Sequence, residues 1–490
     1  LKITPNVNHV AIEIAVAAAT RGLKTIVFVN TKRDAVLVAN EISTMLTSQI
    51  RITPIEQARW DALKVELGGI EHSILPGATA AVPHNSAMLR LERDIAERMF
   101  RRPSGAHVIV ATPTLAQGLN LPAQLAILAG DRRANTIKGG REDLKTHEIL
   151  NAAARAGRAG HLANGLVLLI PEPIISFQDD KPLGKQVIRK LQAIFPEDDH
   201  CVEVTDPLEI VLDRVMQGQT SDPDVSYMIN RMAALRKEDE ADNSLLLFDL
   251  RKSFGAFMAK QQEEAEVFDA KVEALKQAIA VSEIEGADQN ITILSSQSGL
   301  PANLLINLKT KITLDIGELP TTVCDWLRWM INWLQEDKNS RNELFADIMG
   351  SILAACGKAR DDELEKDDLD LLLEALIAWV DGKPLRVIEE IFGGSPDDEA
   401  HAKKVCPRAR ELAGTIVQRG VSFAFGLVAC LVKDINPFAQ QETLDRHLVD
   451  CLAALVRRGF NSVGMLSFAA SKKELLGRVQ IHEEWKHQLR

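Results

Sequence analysis

Short β-branched runs that alternate with helical stretches over the first 170 residues constrain this chain more than any other feature. The runs are TIVFVN (25–30), HVIVA (107–111), LAILAG (125–130) and GLVLLI (165–170), and the stretches KRDAVLVANEISTML and RLERDIAERMFR carry a helical period. Near-continuous apolar runs separated by helices fit βαβ units on a parallel sheet buried on both faces. Beyond PEPIISFQDDKPLG the strand signals nearly vanish, and from about residue 185 to 490 the pattern is helical. The expected fold class is therefore an α/β domain, a parallel sheet with flanking helices, followed by a large all-α region. Candidate breaks within that region are EIEGADQN (283–290), SSQSG (295–299) and RDDELEKDD (360–368). RKEDEADN (236–243) reads as a solvated helix end or loop.

Composition narrows the function classes. At 46% hydrophobic residues over 490 positions the chain can bury several cores. Its net charge of -11 argues against binding nucleic acid through overall basicity, while leaving room for a local basic channel. The six cysteines form no C-x-x-C pair, which weakens zinc and disulfide readings and points to a reducing compartment: cytoplasmic, or nuclear in a eukaryote. The apolar run VSFAFGLVACLV (421–432) is short for a bilayer and ends at Lys433 and Asp434, so it reads as a core helix and no membrane partner is expected.

Ligands of open α/β sheets gather at the carboxyl ends of the strands. Three loops there are unusual. TPTLAQGLNLPA (112–123) offers the hydroxyls of Thr112 and Thr114, Gly118 and Asn120. Hydroxyls at a helix start suit phosphate oxygens, and Thr112 as a plain helix cap is the competing reading. NAAARAGRAG (151–160) puts Arg155 and Arg158 on one helical face, where two guanidinium groups match a polyphosphate, although exposed arginine pairs are also common on ordinary surfaces. NTKRDA (30–35) follows a strand and opens a helix.

Taken in order, TIVFVNTKRDA, VIVATPTLAQGLNLPA and NAAARAGRAG resemble motifs IV, V and VI of superfamily-two helicases, within the second RecA-like domain of that family. The detail of motif V resembles the Ski-type branch of the DExH helicases, and VPHNSAMLRLERDIAERMFR (82–101) is similar to that branch's histidine and glutamate-arginine segment. The resemblance covers about residues 24–170.

It implies the C-terminal portion of an ATP-dependent nucleic-acid helicase or translocase. Arg158 would be the arginine finger and Arg155 its companion on the γ-phosphate. Gly118, Asn120 and Asn151 would lie beside ATP. Thr112, Thr114, Asn30 and Thr31 would meet the phosphates of a single strand of DNA or RNA, and His84 matches a family histidine to which no role is assigned. Motif VI departs from the family pattern, with Asn151 for glutamine, Ala154 for glycine and Ala159 for proline. The Gly-Lys pairs at 184–185, 357–358 and 382–383 are not followed by Ser or Thr, so no Walker A loop is present. ATP and Mg2+ would then be bound mainly by a first RecA-like domain, upstream or in another chain, and this chain alone is not expected to hydrolyse ATP. The implied division is a second RecA-like domain over 1–175, a linker with a winged-helix-like module and a helical arm over 176–300, and a helical bundle over 301–490. The alternative is a non-catalytic scaffold or interaction subunit that retains a helicase half-domain, with the helical region serving as a protein-partner surface.

Three helical features complete the reading. EALIAWVDGKPLRVIEEIFG (374–393) resembles a Ski-type helix-turn-helix stretch, with Trp379 as a core anchor the local alternative. Trp326, Trp329 and Trp333, at i, i+3 and i+7, read as a core stripe before a base-stacking surface. The letters DEAH at 398–401 come well after motif VI, so SPDDEAHAKK reads as a helix start capped by Ser395, with no metal and no catalytic role.

Overall fold

The computed structural model describes residues 6–46, 50–69, 79–112, 121, 123–134, 141–143, 165–172, 174, 188, 207–220, 225, 228–229, 250, 252–261, 265–281, 288–395, 405–472 and 477–488. Four of its strands are the four sequence runs: β1 (Thr25–Phe28), β3 (Val108–Ala111), β4 (Leu125–Ala129) and β7 (Leu166–Ile170). A further strand, β2 (Ala81–His84), joins them in one parallel sheet of order β2-β3-β1-β4-β7. The pairs start level, Thr25 opposite Val108 and Leu125, Ala81 opposite Val108, and Leu125 opposite Leu166. The carboxyl ends of all five strands therefore line up along one edge. β2 holds Pro83, which a sheet accepts here because β2 is an edge strand and its missing N–H faces away from the ladder. A short antiparallel hairpin, β5 (Arg132–Ala134) and β6 (Arg141–Asp143), follows β4.

Alternating strand residues feed two cores. Val27, Val29, Val110 and Ile127 face α1 (Val7–Thr20) and α2 (Lys32–Leu46), where Ala11, Ala15, Val38 and Ile42 complete a small alanine-rich layer. Ile26, Phe28, Ile109 and Leu128 face the other way, toward α3 (Pro54–Leu67) and α4 (Arg90–Arg101). α2 and α4 coincide with the two helical stretches read from sequence. The second core does not stop at α3 and α4: it runs on through Leu63, Leu67 and Phe100 into Trp326, Phe345, Trp379, Phe425 and Leu452 of the helical region. α3 and α4 are thus packed between the sheet and the helical region.

Among the described residues beyond 185 every regular element is helical. The stretch 245–280 contains the helices Phe254–Gln261 and Ala265–Val281, which share a small core with Pro207–Met216 through Leu212, Phe268, Val272 and Leu275. No strand of a winged-helix module appears among the described residues of 176–300. Trp326 and Trp333 are buried, and Trp329 lies half-buried with its indole N–H on Asp315 at 2.6 Å, so the tryptophan stripe is core. Trp379, next to last in the helix Lys366–Val380, donates to the carbonyl of Val456 at 2.9 Å, and the chain turns through Asp381 and Gly382. Gly382 has φ +77°, and a Cβ there would come within 2.3 Å of the His482 ring, so only glycine fits this turn.

The run 421–432 belongs to a longer helix than the sequence suggested, Pro407–Ile435, of 29 residues. Its length and composition would suffice for a membrane span, but its apolar face is taken up inside the helical core through Leu412, Ile416, Phe425 and Val428. Residues 412–421 of this helix have π geometry between two α-helical parts. The predicted cap at Ser395 cannot be followed into its helix, because residues 396–404 lie outside the described residues.

At the amino edge of the sheet, Lys24 turns its ammonium inward, donating to the carbonyls of Arg102 at 2.7 Å and Ala106 at 2.5 Å. Burial, with Arg102 nearby, pushes its pKa from 10.5 down to about 8. The unfolded chain therefore holds this proton more tightly than the folded chain, and stability gains as pH rises from about 8 toward 10.5. Urea unfolding across that window should show this rise, and Lys24→Met should flatten it relative to the parent.

Candidate functional site at the carboxyl edge of the sheet

Polar residues that lack solvent gather where the strands end. His84 and Asn85 leave β2, Thr112 leaves β3 and Asp131 follows β4, and all four are buried. Asp131 accepts the backbone N–H of Glu172 at 2.9 Å, which ties the exit of β4 to that of β7. Asn30, at the exit of β1, lies against Gly130, whose φ of +105° and missing Cβ leave room for the amide, 3.2 Å from where a Cβ would stand.

Two helices open on this edge. Thr31 caps α2: its hydroxyl accepts the N–H of Asp34 at 3.0 Å and donates to the Asp34 carboxylate at 2.7 Å. Asn85 makes the equivalent turn before α4, accepting the N–H of Ala87 at 2.9 Å, while its amide donates to the carbonyl of Lys32 at 3.4 Å. One side chain thus ties the first residue of α2 to the turn that leads into α4. His84 pairs with Glu97 across 3.1 Å through Nε2, and its buried Nδ1 has no hydrogen-bond partner.

The arginines of α2, α3 and α4 fall into two groups, with Lys32 beside one of them. Beyond the first turn of α4 they are paired: Arg59 and Arg98 with Asp94, Arg101 with Glu97, and Arg102 with Glu56. At the carboxyl edge Lys32, Arg33 and Arg90 are exposed and make no ion pair among the described residues, and Arg93 has a buried Nε with no hydrogen-bond partner. Lys32, Arg33 and Arg90 stand in the first turns of their helices, where the positive end of the dipole disfavours a cation. Unneutralised cations beside two helix N-termini suit an anionic ligand of extended shape.

Of the residues that the sequence assigned to nucleic acid, Asn30, Thr31 and Thr112 all stand on this edge. Thr114, together with Gly118, Asn120, Asn151, Arg155 and Arg158 assigned to the nucleotide, lies outside the described residues. Among the described residues no three His, Cys, Asp or Glu side chains cluster as metal ligands. Sequence reasoning did not single out Arg90, Arg93 and Asn85. The available signal was their position, immediately after a strand and at a helix start, but β2 itself was hidden by Pro83.

No protein-family model matches the chain. Among curated proteins it is 28% identical over 170 residues to the RQC trigger complex helicase SLH1 of Saccharomyces cerevisiae, which is 34% of this chain and 8% of that protein. It is 29% identical over 157 residues to the activating signal cointegrator 1 complex subunit 3 of Dictyostelium discoideum, 31% of this chain and 7% of that one. The chain is related to the DExH helicases of superfamily two. The ATP-dependent DNA helicase Hel308 of Thermoplasma acidophilum is likewise 30% identical over 173 residues, 31% of this chain and 24% of the relative. The similarity to these helicases thus involves about a third of this chain and no more than a quarter of each relative.

Because the Thr31 hydroxyl both accepts from and donates to Asp34, its first structural effect is to hold the start of α2. Thr31→Ala should cost about 1 kcal/mol of stability, read from the urea midpoint, before any effect on ligand binding is considered.

Proposed function

We propose that this chain is the C-terminal portion of an ATP-dependent helicase or translocase, in which the parallel sheet belongs to a second RecA-like domain that grips a single strand of nucleic acid through its phosphates. The observation that supports this most directly is the unpaired cationic edge: Lys32, Arg33, Arg90 and Arg93 beside the starts of α2 and α4, next to Asn30, Thr31 and Thr112. Such a grip is sequence-tolerant, because cations and helix N-termini meet the backbone and leave the bases unread. Lys32 and Arg33 would supply charge to the strand, while Asn85 would hold the start of α2 against the turn that leads into α4.

The nucleotide side of the proposal rests on motif VI. Arg155 and Arg158, three residues apart in sequence, would turn two guanidinium groups toward the γ-phosphate of ATP held by a first RecA-like domain, with Gly118, Asn120 and Asn151 alongside. ATP, with Mg2+, would supply the phosphoryl group whose hydrolysis separates closed from open states. The helical region from residue 291 onward, packed on α3 and α4, would move with the sheet.

Two measurements test this reading. The 490-residue chain should bind single-stranded oligothymidylate or oligouridylate with an affinity that falls steeply with salt. Lys32→Ala/Arg33→Ala/Arg90→Ala should weaken binding to both and make the slope shallower by roughly 0.7 for each phosphate that is no longer neutralised. A preference for one of the two oligonucleotides would identify the substrate sugar. In the complete protein that carries this chain, Arg158→Ala should lower nucleic-acid-stimulated ATP hydrolysis by about a thousandfold. Unchanged hydrolysis would remove the arginine-finger assignment and leave the scaffold reading in its place.

A further inference from the structure

The start of α4 is held by a residue 318 positions away in sequence. Glu92 sits at the third position of α4 and is 0% exposed. One of its oxygens accepts the backbone N–H of Leu89 at 2.6 Å, closing the first turn of the helix. The same carboxylate receives the guanidinium of Arg410 fork-on-fork, Nη2 to Oε1 at 2.7 Å and Nη1 to Oε2 at 2.8 Å. Arg410 is 6% exposed and donates from Nε to the carbonyl of Val405 at 2.5 Å. A buried pair of this kind is seldom the most stable filling for its space, since an apolar pair of similar volume often does as well. Its distinctive property is direction: a bidentate guanidinium and carboxylate hold each other in one plane.

What the fork directs is the part of the molecule that faces the ligand. Arg90 and Arg93 flank Glu92 on the first turn of α4, and Asn85 lies one short turn upstream. At the other end, Arg410 stands where the 407–435 helix passes from α to π geometry, four residues after Cys406 at φ +53°. A second buried contact grips the neighbouring helix. Glu66 in the last turn of α3 meets Arg478 at 3.0 Å, whose guanidinium also lies 4.2 Å from the Trp379 ring and donates to the carbonyls of Trp379 and Lys383. α3 and α4 run antiparallel, because Glu56 near the start of α3 meets Arg102 at the end of α4 while Arg59 meets Asp94. Glu66 and Glu92 are therefore at the same end of the pair, the end nearest the carboxyl edge. The helical region holds the RecA-like domain beside its ligand face.

We propose that Arg410 is a positioning residue for strand binding: through Glu92 it sets the first turn of α4, so that Arg90 and Arg93 are presented to the phosphates only while the helical region is docked. This rests on the nucleic-acid reading of the carboxyl edge given above. It makes the affinity of the RecA-like domain for a single strand dependent on a side chain that lies outside that domain.

The test uses the full 490-residue chain, single-stranded oligothymidylate and oligouridylate, and two variants. Arg410→Met removes the guanidinium from the buried, charged Glu92, so it should lower both the unfolding midpoint and the affinity. Glu92→Gln/Arg410→Met removes the stranded charge and keeps an acceptor for the Leu89 N–H, so the unfolding midpoint should recover relative to Arg410→Met. The affinity of the double variant should stay about tenfold below the parent's, as expected when a binding surface must be ordered on association. Its salt slope should also be shallower, by roughly 0.7 for each phosphate that Arg90 and Arg93 no longer reach. A double variant that recovers stability and binds with the parent's affinity and slope would show the pair to be structural only, and would overturn the proposal. Failure of the parent chain to bind either oligonucleotide would overturn the nucleic-acid reading, and the positioning role with it.

Discussion

Two carboxylates with almost no water around them, Glu92 and Glu66, decide how the two halves of this chain meet. A buried carboxylate must be paired, because an isolated charge in a protein interior costs several kcal/mol and removing one partner of a buried pair typically costs about 3–5 kcal/mol. Both α3 and α4 present such a group away from the sheet, and both find an arginine of the helical region, Arg478 and Arg410. The apolar surfaces around them form one core that extends from Ile109 in the sheet to Leu452 in the helices. Burial of that surface drives the association, and the ion pairs choose its orientation. An apolar interface alone would not select one set of partners; the Glu92–Arg410 fork and the Glu66–Arg478 pair on two antiparallel helices do.

The same logic of pairing separates the carboxyl edge of the sheet from its amino edge. Arginines of α3 and of α4 past its first turn are neutralised by Asp94, Glu97 and Glu56, and at the amino edge Lys24 is pulled inward against backbone carbonyls. At the carboxyl edge the acidic groups are committed elsewhere: Asp34 to the cap of α2, Glu92 to Arg410, Asp131 to the backbone of Glu172. Cations there are left to solvent or to an anion. With a formal charge of -11 on the whole chain, this local surplus is set by which carboxylates are occupied, and composition gives no hint of it.

Much of the fold was legible. The strands β1, β3, β4 and β7 and the helices α2 and α4 follow apolar periodicities strong enough to be read residue by residue, since a doubly covered parallel strand must be apolar throughout. β2 was not legible, because four residues with a proline look like a turn until the sheet shows that they form an edge. α1 carries alanines on its buried face, which gives little contrast between its sides. The π segment inside the 407–435 helix leaves no mark in an apolar run. Of the candidate site, the sequence reading named the place, the loops after the strands, and Asn30, Thr31 and Thr112 stand at those strand ends. Its charge pattern was not legible, because whether Arg90 is unpaired and Arg102 is paired depends on neighbours such as Glu56 that are distant in sequence.

Sequence by itself determined the local grammar: strand runs, helix starts with their caps, and the ordered motifs that resemble a superfamily-two helicase. The pairing of Leu89 with Glu92 belongs to that grammar, since a capping carboxylate three residues into a helix is a short-range pattern. Only the tertiary structure decided that the same carboxylate also receives Arg410. A charge becomes a strut when it is removed from water, and burial is a property of the assembled halves that no stretch of the chain carries on its own.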